Sequence, residues 1–194
     1  MLRTACRLLP LLLVLPCAAK PLQVEGASFE PSFYLVGHKV KLNGVGTGQI
    51  EQAKSYAAGL YLVKTARNLP EAIASPGPKR LEMRMLREID SQELGKQLSN
   101  TLNSNVPRSE LYACLPGLAQ IGEAFGAKKR MAAGDQFSLD SVMSQGTYIM
   151  INGERVGQIK GPEFFGCVLK AYLGDQPGDA ALKKALLTPP PIKP

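Results

Sequence analysis

Apolar and polar positions along the 194-residue chain change period several times, and those changes mark its elements. From Leu35 to Leu42, Val36, His38, Val40 and Leu42 alternate with Lys39 and Lys41, the period of a strand with a basic outer face. Asn43-Gly44 follows as a turn signal, ahead of the glycine-rich piece Gly44-Val45-Gly46-Thr47-Gly48. Ser55 to Val63 is apolar on both parities, as a central strand would be. Asn68 and Pro70 predict a short capped helix that ends before Pro76-Gly77-Pro78. Between Lys79 and Ile89, Leu81, Met83 and Met85 alternate with Arg80, Glu82 and Arg84, a third long strand.

Asp90-Ser91 offers a cap, and Glu93 places acid in the first turn of a helix running to about Leu102. A further helix is expected from Pro107 or Ser109 through Phe125, interrupted at Pro116-Gly117. Strand character returns from Gly134 to Val142. Thr147–Ile151 and Glu154–Ile159 then flank Asn152-Gly153, a hairpin around a type I′ turn. Pro162 opens a helix through Tyr172, and Asp179 caps a last one to Leu187. Strands first and last, with helices between and after them, predict an antiparallel sheet covered on one face by helices, an α+β fold.

The first 19 residues do not fit that domain. Arg3 and Arg7 precede an apolar run, Leu8 to Leu15, and Cys17-Ala18-Ala19 follows as a small-residue cleavage site. This is the layout of a secretory signal peptide, and the run is too short to span a bilayer, which takes about 20 residues. The expected organisation is a signal peptide at 1–19, an irregular extended arm at 20–34, a domain at 35–187 and a Pro-rich tail at 188–194. The mature protein is then periplasmic or secreted. Lipidation at Cys17 is the rival reading, against which Pro16 counts because the residue before a lipidated Cys is normally small.

Processing also changes the charge and cysteine arithmetic. Formal charge is +7 for the whole chain; without Arg3 and Arg7, 21 basic residues face 16 acidic ones, or +5. Cys6 and Cys17 leave with the leader, and Cys114 and Cys167 remain. An oxidising compartment permits a disulfide, but two buried free thiols acting as small hydrophobes are the favoured reading.

Chemistry-bearing motifs are few. Without a C-x-x-C pair and with His38 as the single histidine, neither a metal site, a cofactor nor a Ser-His-Asp triad is expected, and His38 reads as a core or edge residue. Gly44 to Gly48 resembles a phosphate loop but lacks the Gly-Lys-Ser/Thr ending and precedes a strand, so nucleotide binding is not expected. Lys128-Lys129-Arg130 reads as a solvated loop rather than a nucleic-acid patch. The absence of Trp counts against an aromatic carbohydrate groove.

Several pieces in order carry a family likeness: Leu42 to Gly46, Tyr56-Ala57-Ala58-Gly59-Leu60-Tyr61-Leu62, Ser91 to Leu94, Asn152-Gly153, Ile159 to Phe165, Tyr172-Leu173-Gly174-Asp175, and Leu182-Lys183. Together they resemble the bacterial, exported branch of the chalcone isomerase-like family, from about Leu35 to Leu187. The resemblance implies an open-faced β-sandwich, a large antiparallel sheet covered by a helical layer. Its plant enzymes cyclise chalcones with an Arg, a Thr, a helical Tyr and Asn, and a late Thr or Ser; fatty-acid-binding relatives hold a carboxylate with the Arg and Tyr. Aligned here, those positions are Gly48, Tyr56, Leu94, Thr101 and Ala171.

None of the five is kept, and cyclisation needs a cation and donors aimed at the developing charge. No catalytic residue is therefore assigned. The resemblance instead implies an apolar cleft, with Gly48, Tyr56, Leu94, Thr101 and Ala171 as candidate ligand-binding positions for an apolar small molecule or fatty acid. The alternatives are a cell-envelope interaction module without a pocket, and an isomerase with a relocated cation such as Arg84 or Arg87.

Overall fold

The computed structural model describes residues 20–191. The expected leader lies outside these residues. Eleven strands and five helices follow one another: β1 (Leu22–Val24), β2 (Ala27–Phe29), β3 (Ser32–Leu35), β4 (His38–Ile50), β5 (Ala53–Leu62), α1 (Leu69–Ala74), β6 (Lys79–Met85), β7 (Ile89–Asp90), α2 (Ser91–Asn105), α3 (Arg108–Lys128), β8 (Arg130–Met131), β9 (Gln136–Val142), β10 (Gly146–Ile151), β11 (Glu154–Ile159), α4 (Glu163–Leu173) and α5 (Ala180–Leu186). Seven strands form one antiparallel sheet in the order β11-β10-β9-β6-β5-β4-β3. The expected α+β architecture, a large antiparallel sheet under a helical layer, is the one found.

Strand alternation explains how the sheet divides its residues. Tyr56, Ala58, Leu60 and Leu62 of β5, with Leu81, Met83 and Met85 of β6, enter the main core beneath α2, α3, α4 and α5. Their neighbours Ala57 and Tyr61 face the other side, where Phe29, Leu35, Val40 and Leu42 build a second, smaller core. The arm at 20–34 is therefore not irregular. It forms the β1–β2 hairpin and the edge strand β3, because Phe29 and Leu35 have an apolar surface to bury.

Three further expectations are corrected. Asn43-Gly44 is not a turn: both residues lie inside β4, with a bulge between Leu42 and Gly44. The fully buried Asn43 side chain donates to Ala66 O and Leu186 O at 2.9 and 2.8 Å and accepts from Ala66 N at 2.7 Å. It ties the end of α5 to the sheet, with every polar atom of its amide partnered. Second, α3 is continuous through Pro116. The carbonyl that Pro116 leaves without an N–H is that of Tyr112, a residue on the solvent-exposed side of the helix. Third, Cys114 and Cys167 are not free thiols. They form a disulfide between α3 and α4, with Cα atoms 6.1 Å apart. His38 is exposed at the start of β4. The hairpin at Asn152-Gly153 has both turn residues at positive φ, 51° and 82°, as a type I′ turn requires.

Candidate functional site

The glycine run of β4 serves packing rather than phosphate. Gly44, Gly46 and Gly48 alternate with Val45 and Thr47 and share the helix-facing side of the strand. An added Cβ would stand 2.5 Å from Leu186 O at Gly44, from the Ala185 Cβ at Gly46, and from the Tyr56 hydroxyl at Gly48. Bare backbone here lets α5 lie against β4 and lets the Tyr56 ring cross to its neighbouring strand. Gly48 and Tyr56 are register partners in the β4–β5 pair. The phenol of Tyr56 thus fills the space into which a longer side chain at position 48 would point.

Tyr56 is 1% exposed, and its hydroxyl end meets a small void bounded by Gln97, Thr101, Tyr172, Gly178, Asp179 and Leu182. Its volume is about 10 Å³, close to the room one water needs. Four elements meet there: β5 supplies Tyr56, α2 supplies Gln97 and Thr101, α4 supplies Tyr172, and Asp179 caps α5. The Gln97 amide donates to Gln49 O at the second bulge of β4, 2.8 Å away, and lines the void beside the Tyr56 hydroxyl. Thr101 donates its hydroxyl hydrogen to Gln97 O at 2.9 Å. Tyr172 lines the same void as Tyr56.

Asp179 is bound on one side only. Its Oδ1 accepts from Leu182 N at 2.9 Å, capping α5, while its Oδ2 is buried with no hydrogen-bond partner. Burial pushes the Tyr56 phenol well above its ordinary range, and the Asp179 charge pushes it further; hydrogen bonds from Tyr172 and Gln97 offset part of this. Burial raises Tyr172 as well, followed by its contact with Tyr56. Both phenols are therefore neutral donors at physiological pH.

Of the five positions singled out by sequence, Tyr56 and Thr101 line the void, and Gly48 packs against the Tyr56 ring without lining it. Leu94 and Ala171 sit nearby in the main core, 5% and 0% exposed, without lining the void. Sequence reading missed Gln97, Tyr172 and Asp179 as site residues. Asp179 was legible as a cap and Tyr172 as part of a family motif, but only the tertiary fold turns their polar atoms toward Tyr56.

Arg84 and Arg87, named above as replacement cations, lie across the sheet. Arg84 donates to Glu82 at 2.9 Å and stacks 5.7 Å over Phe29, and Arg87 donates to Ser55 at 3.0 Å. A larger cavity of about 340 Å³ is found on that side, open to solvent between the β1–β2 turn and Ala133-Gly134. Its guanidinium, Arg84, is already paired. Among the described residues no cluster of His, Cys, Asp and Glu could hold a metal, and no helix is long and apolar enough to cross a membrane.

This arrangement, a large antiparallel sheet with a helical layer closing over a buried tyrosine, belongs to a recognisable class. The chain is a member of the chalcone isomerase-like family, whose profile matches residues 21–188. Among solved structures it is similar to a fatty-acid binding protein of Arabidopsis thaliana, with a TM-score of 0.59 and 17% identity. The match covers 84% of this chain and 92% of that one, and at this identity it establishes the shared fold. No curated protein matches the chain in sequence.

Proposed function

We propose that this protein is a non-catalytic, exported binder of an apolar or amphipathic small molecule, held between the sheet and the helical layer. The observation that carries this reading is the polar cluster of Tyr56, Gln97, Thr101, Tyr172 and Asp179 at the edge of the main core, with Tyr56 buried and the other four half-buried. A layer built only for stability does not gain from a buried carboxylate oxygen left without a partner, whereas a ligand head supplies one. The apolar wall beside the cluster suits a ligand tail. The fatty-acid binding protein of the same fold supports the same class of ligand. Cyclisation is not proposed, because Gly48, Leu94 and Ala171 provide neither cation nor donor.

A void of about 10 Å³ cannot hold a tail, so binding needs α5 to lift from the glycine face of β4. Asn43 holds the C-terminal end of α5, and Asn105 of α2 holds Gln176 in the connection ahead of it through bonds of 2.7 and 2.8 Å, so a ligand has to displace contacts at one end or the other. The second reading, a cell-envelope interaction module, rests on this same closed packing. Native mass spectrometry before and after organic extraction separates the two. The cleft reading expects a mass excess lost on extraction, or saturable uptake of an added amphiphile; neither would leave the interaction module standing. Export is tested by the mature N-terminus, which should be Lys20.

A further inference from the structure

We propose that the site selects an amphiphile whose head donates hydrogen bonds, a primary alcohol or a protonated amine, and discriminates against the carboxylate of a fatty acid. The proposal rests on the cleft-binding reading and names the head that the cleft takes.

A donor and acceptor inventory of the void leads there. Gln97 donates an amide hydrogen to Gln49 O, and Thr101 spends its hydroxyl hydrogen on Gln97 O. The phenols of Tyr56 and Tyr172 line the same void, and Tyr56 has a hydroxyl hydrogen to offer a ligand there. Acceptors are in excess: Asp179 Oδ2, which is buried and unpartnered, and the oxygens of Tyr172 and Thr101. None of the residues lining the void is Lys, Arg or His.

An alcohol satisfies this set in both directions. Its O–H donates to Asp179 Oδ2, and its oxygen accepts from Tyr56. A protonated amine gives Asp179 a countercharge. A carboxylate only accepts, and it would bring a second negative charge beside Asp179 with no cation among the lining residues. The Gly48–Tyr56 pair closes the remaining route, because the phenol occupies the space a guanidinium from position 48 would need.

The test is a competition titration of the full mature chain with decanol, decylamine and decanoate, each displacing a neutral fluorescent apolar probe at neutral pH. Decanol and decylamine should bind at least about tenfold more tightly than decanoate, the scale of one hydrogen bond to a charged group. Asp179→Asn keeps an N-cap acceptor and should bring decanol and decanoate within about threefold of each other. Asp179→Ser, also a good N-cap, serves if the Asn variant does not fold. Equal or tighter binding of decanoate by the unmodified protein overturns the inference while leaving the cleft reading intact, and so does an unchanged preference in both Asp179 variants. No saturable binding of any of the three removes the cleft reading itself.

Discussion

The two faces of the sheet bury charged and polar side chains in opposite ways. On the face covered by the N-terminal arm, Arg80 grips Asp140 through two hydrogen bonds of 2.6 and 2.5 Å, and Arg84 donates to Glu82 at 2.9 Å. Ser138 donates to Asp140 at 3.1 Å, and the guanidinium of Arg80 lies 4.7 Å over Phe33. Two cations and two carboxylates close on one another. Beneath the helices, one carboxylate faces two phenols with no cation and an oxygen to spare. A self-satisfied network is what structure alone requires, while an incomplete one invites a partner. The contrast between the faces therefore lies at Asp179, a carboxylate with one oxygen unpaired and no Lys, Arg or His lining the void it faces.

Removing a carboxylate from each face should separate the two roles most sharply. Asp140→Ala removes both short hydrogen bonds of the half-buried Arg80, leaving it only Glu82 at 3.9 Å, and should cost about 3 kcal/mol in denaturant unfolding. Asp179→Asn, which retains the cap, should cost less than about 1 kcal/mol. Similar losses at both positions would dissolve the distinction.

A smaller effect is expected where the helix face is packed around Tyr56. Gly48→Ala should destabilise by about 1–3 kcal/mol, because the added methyl meets a ring that is itself buried. In a Tyr56→Ala background the same substitution should cost less than about 1 kcal/mol, a coupling that a double-mutant cycle reads directly. Additive costs would mean that the ring does not occupy that space.

The smallest effect is in alkaline stability. Tyr56 and Tyr61 lie on opposite faces, and burial raises both phenols above their ordinary 10.0, with Asp179 adding to the first and Glu82 to the second. The folded state thus holds these protons more tightly than the unfolded chain. Their contribution is complete below the unfolded value and is lost as pH rises past it. Tyr56→Phe and Tyr61→Phe should each make the decline of stability above about pH 10 shallower. Only Tyr56→Phe should also weaken amphiphile binding.

How much of this was legible in the sequence depends on whether side chains mark the element. The alternation of Leu81, Met83 and Met85 against Arg80, Glu82 and Arg84 gave β6 and its two faces, and Asn152-Gly153 gave the β10–β11 hairpin. The strand through Gly44, Gly46 and Gly48 was hidden, because glycines leave no polar or apolar mark on the side that α5 covers. The arm was hidden by its prolines and short strands, and its partner surface is set by Tyr61 and Val40, far along the chain. At the site, Tyr56 and Thr101 were reached through family resemblance. Gln97, Tyr172 and Asp179 were not, because only tertiary packing joins α2, α4 and the start of α5. The Cys114–Cys167 pairing has the same origin, its partners standing 53 positions apart in the chain.

The central claim, that the helix face rather than the arm face receives the ligand, is tested most directly by NMR titration of the protein with decanol. Amide and side-chain shifts should change at Tyr56, Gln97, Thr101, Tyr172 and Asp179 and along α5, with Ala27, Arg84 and Leu86 unmoved. Changes centred on Ala27, Arg84 and Leu86 beside the arm, or none on α5 at saturation, would contradict it.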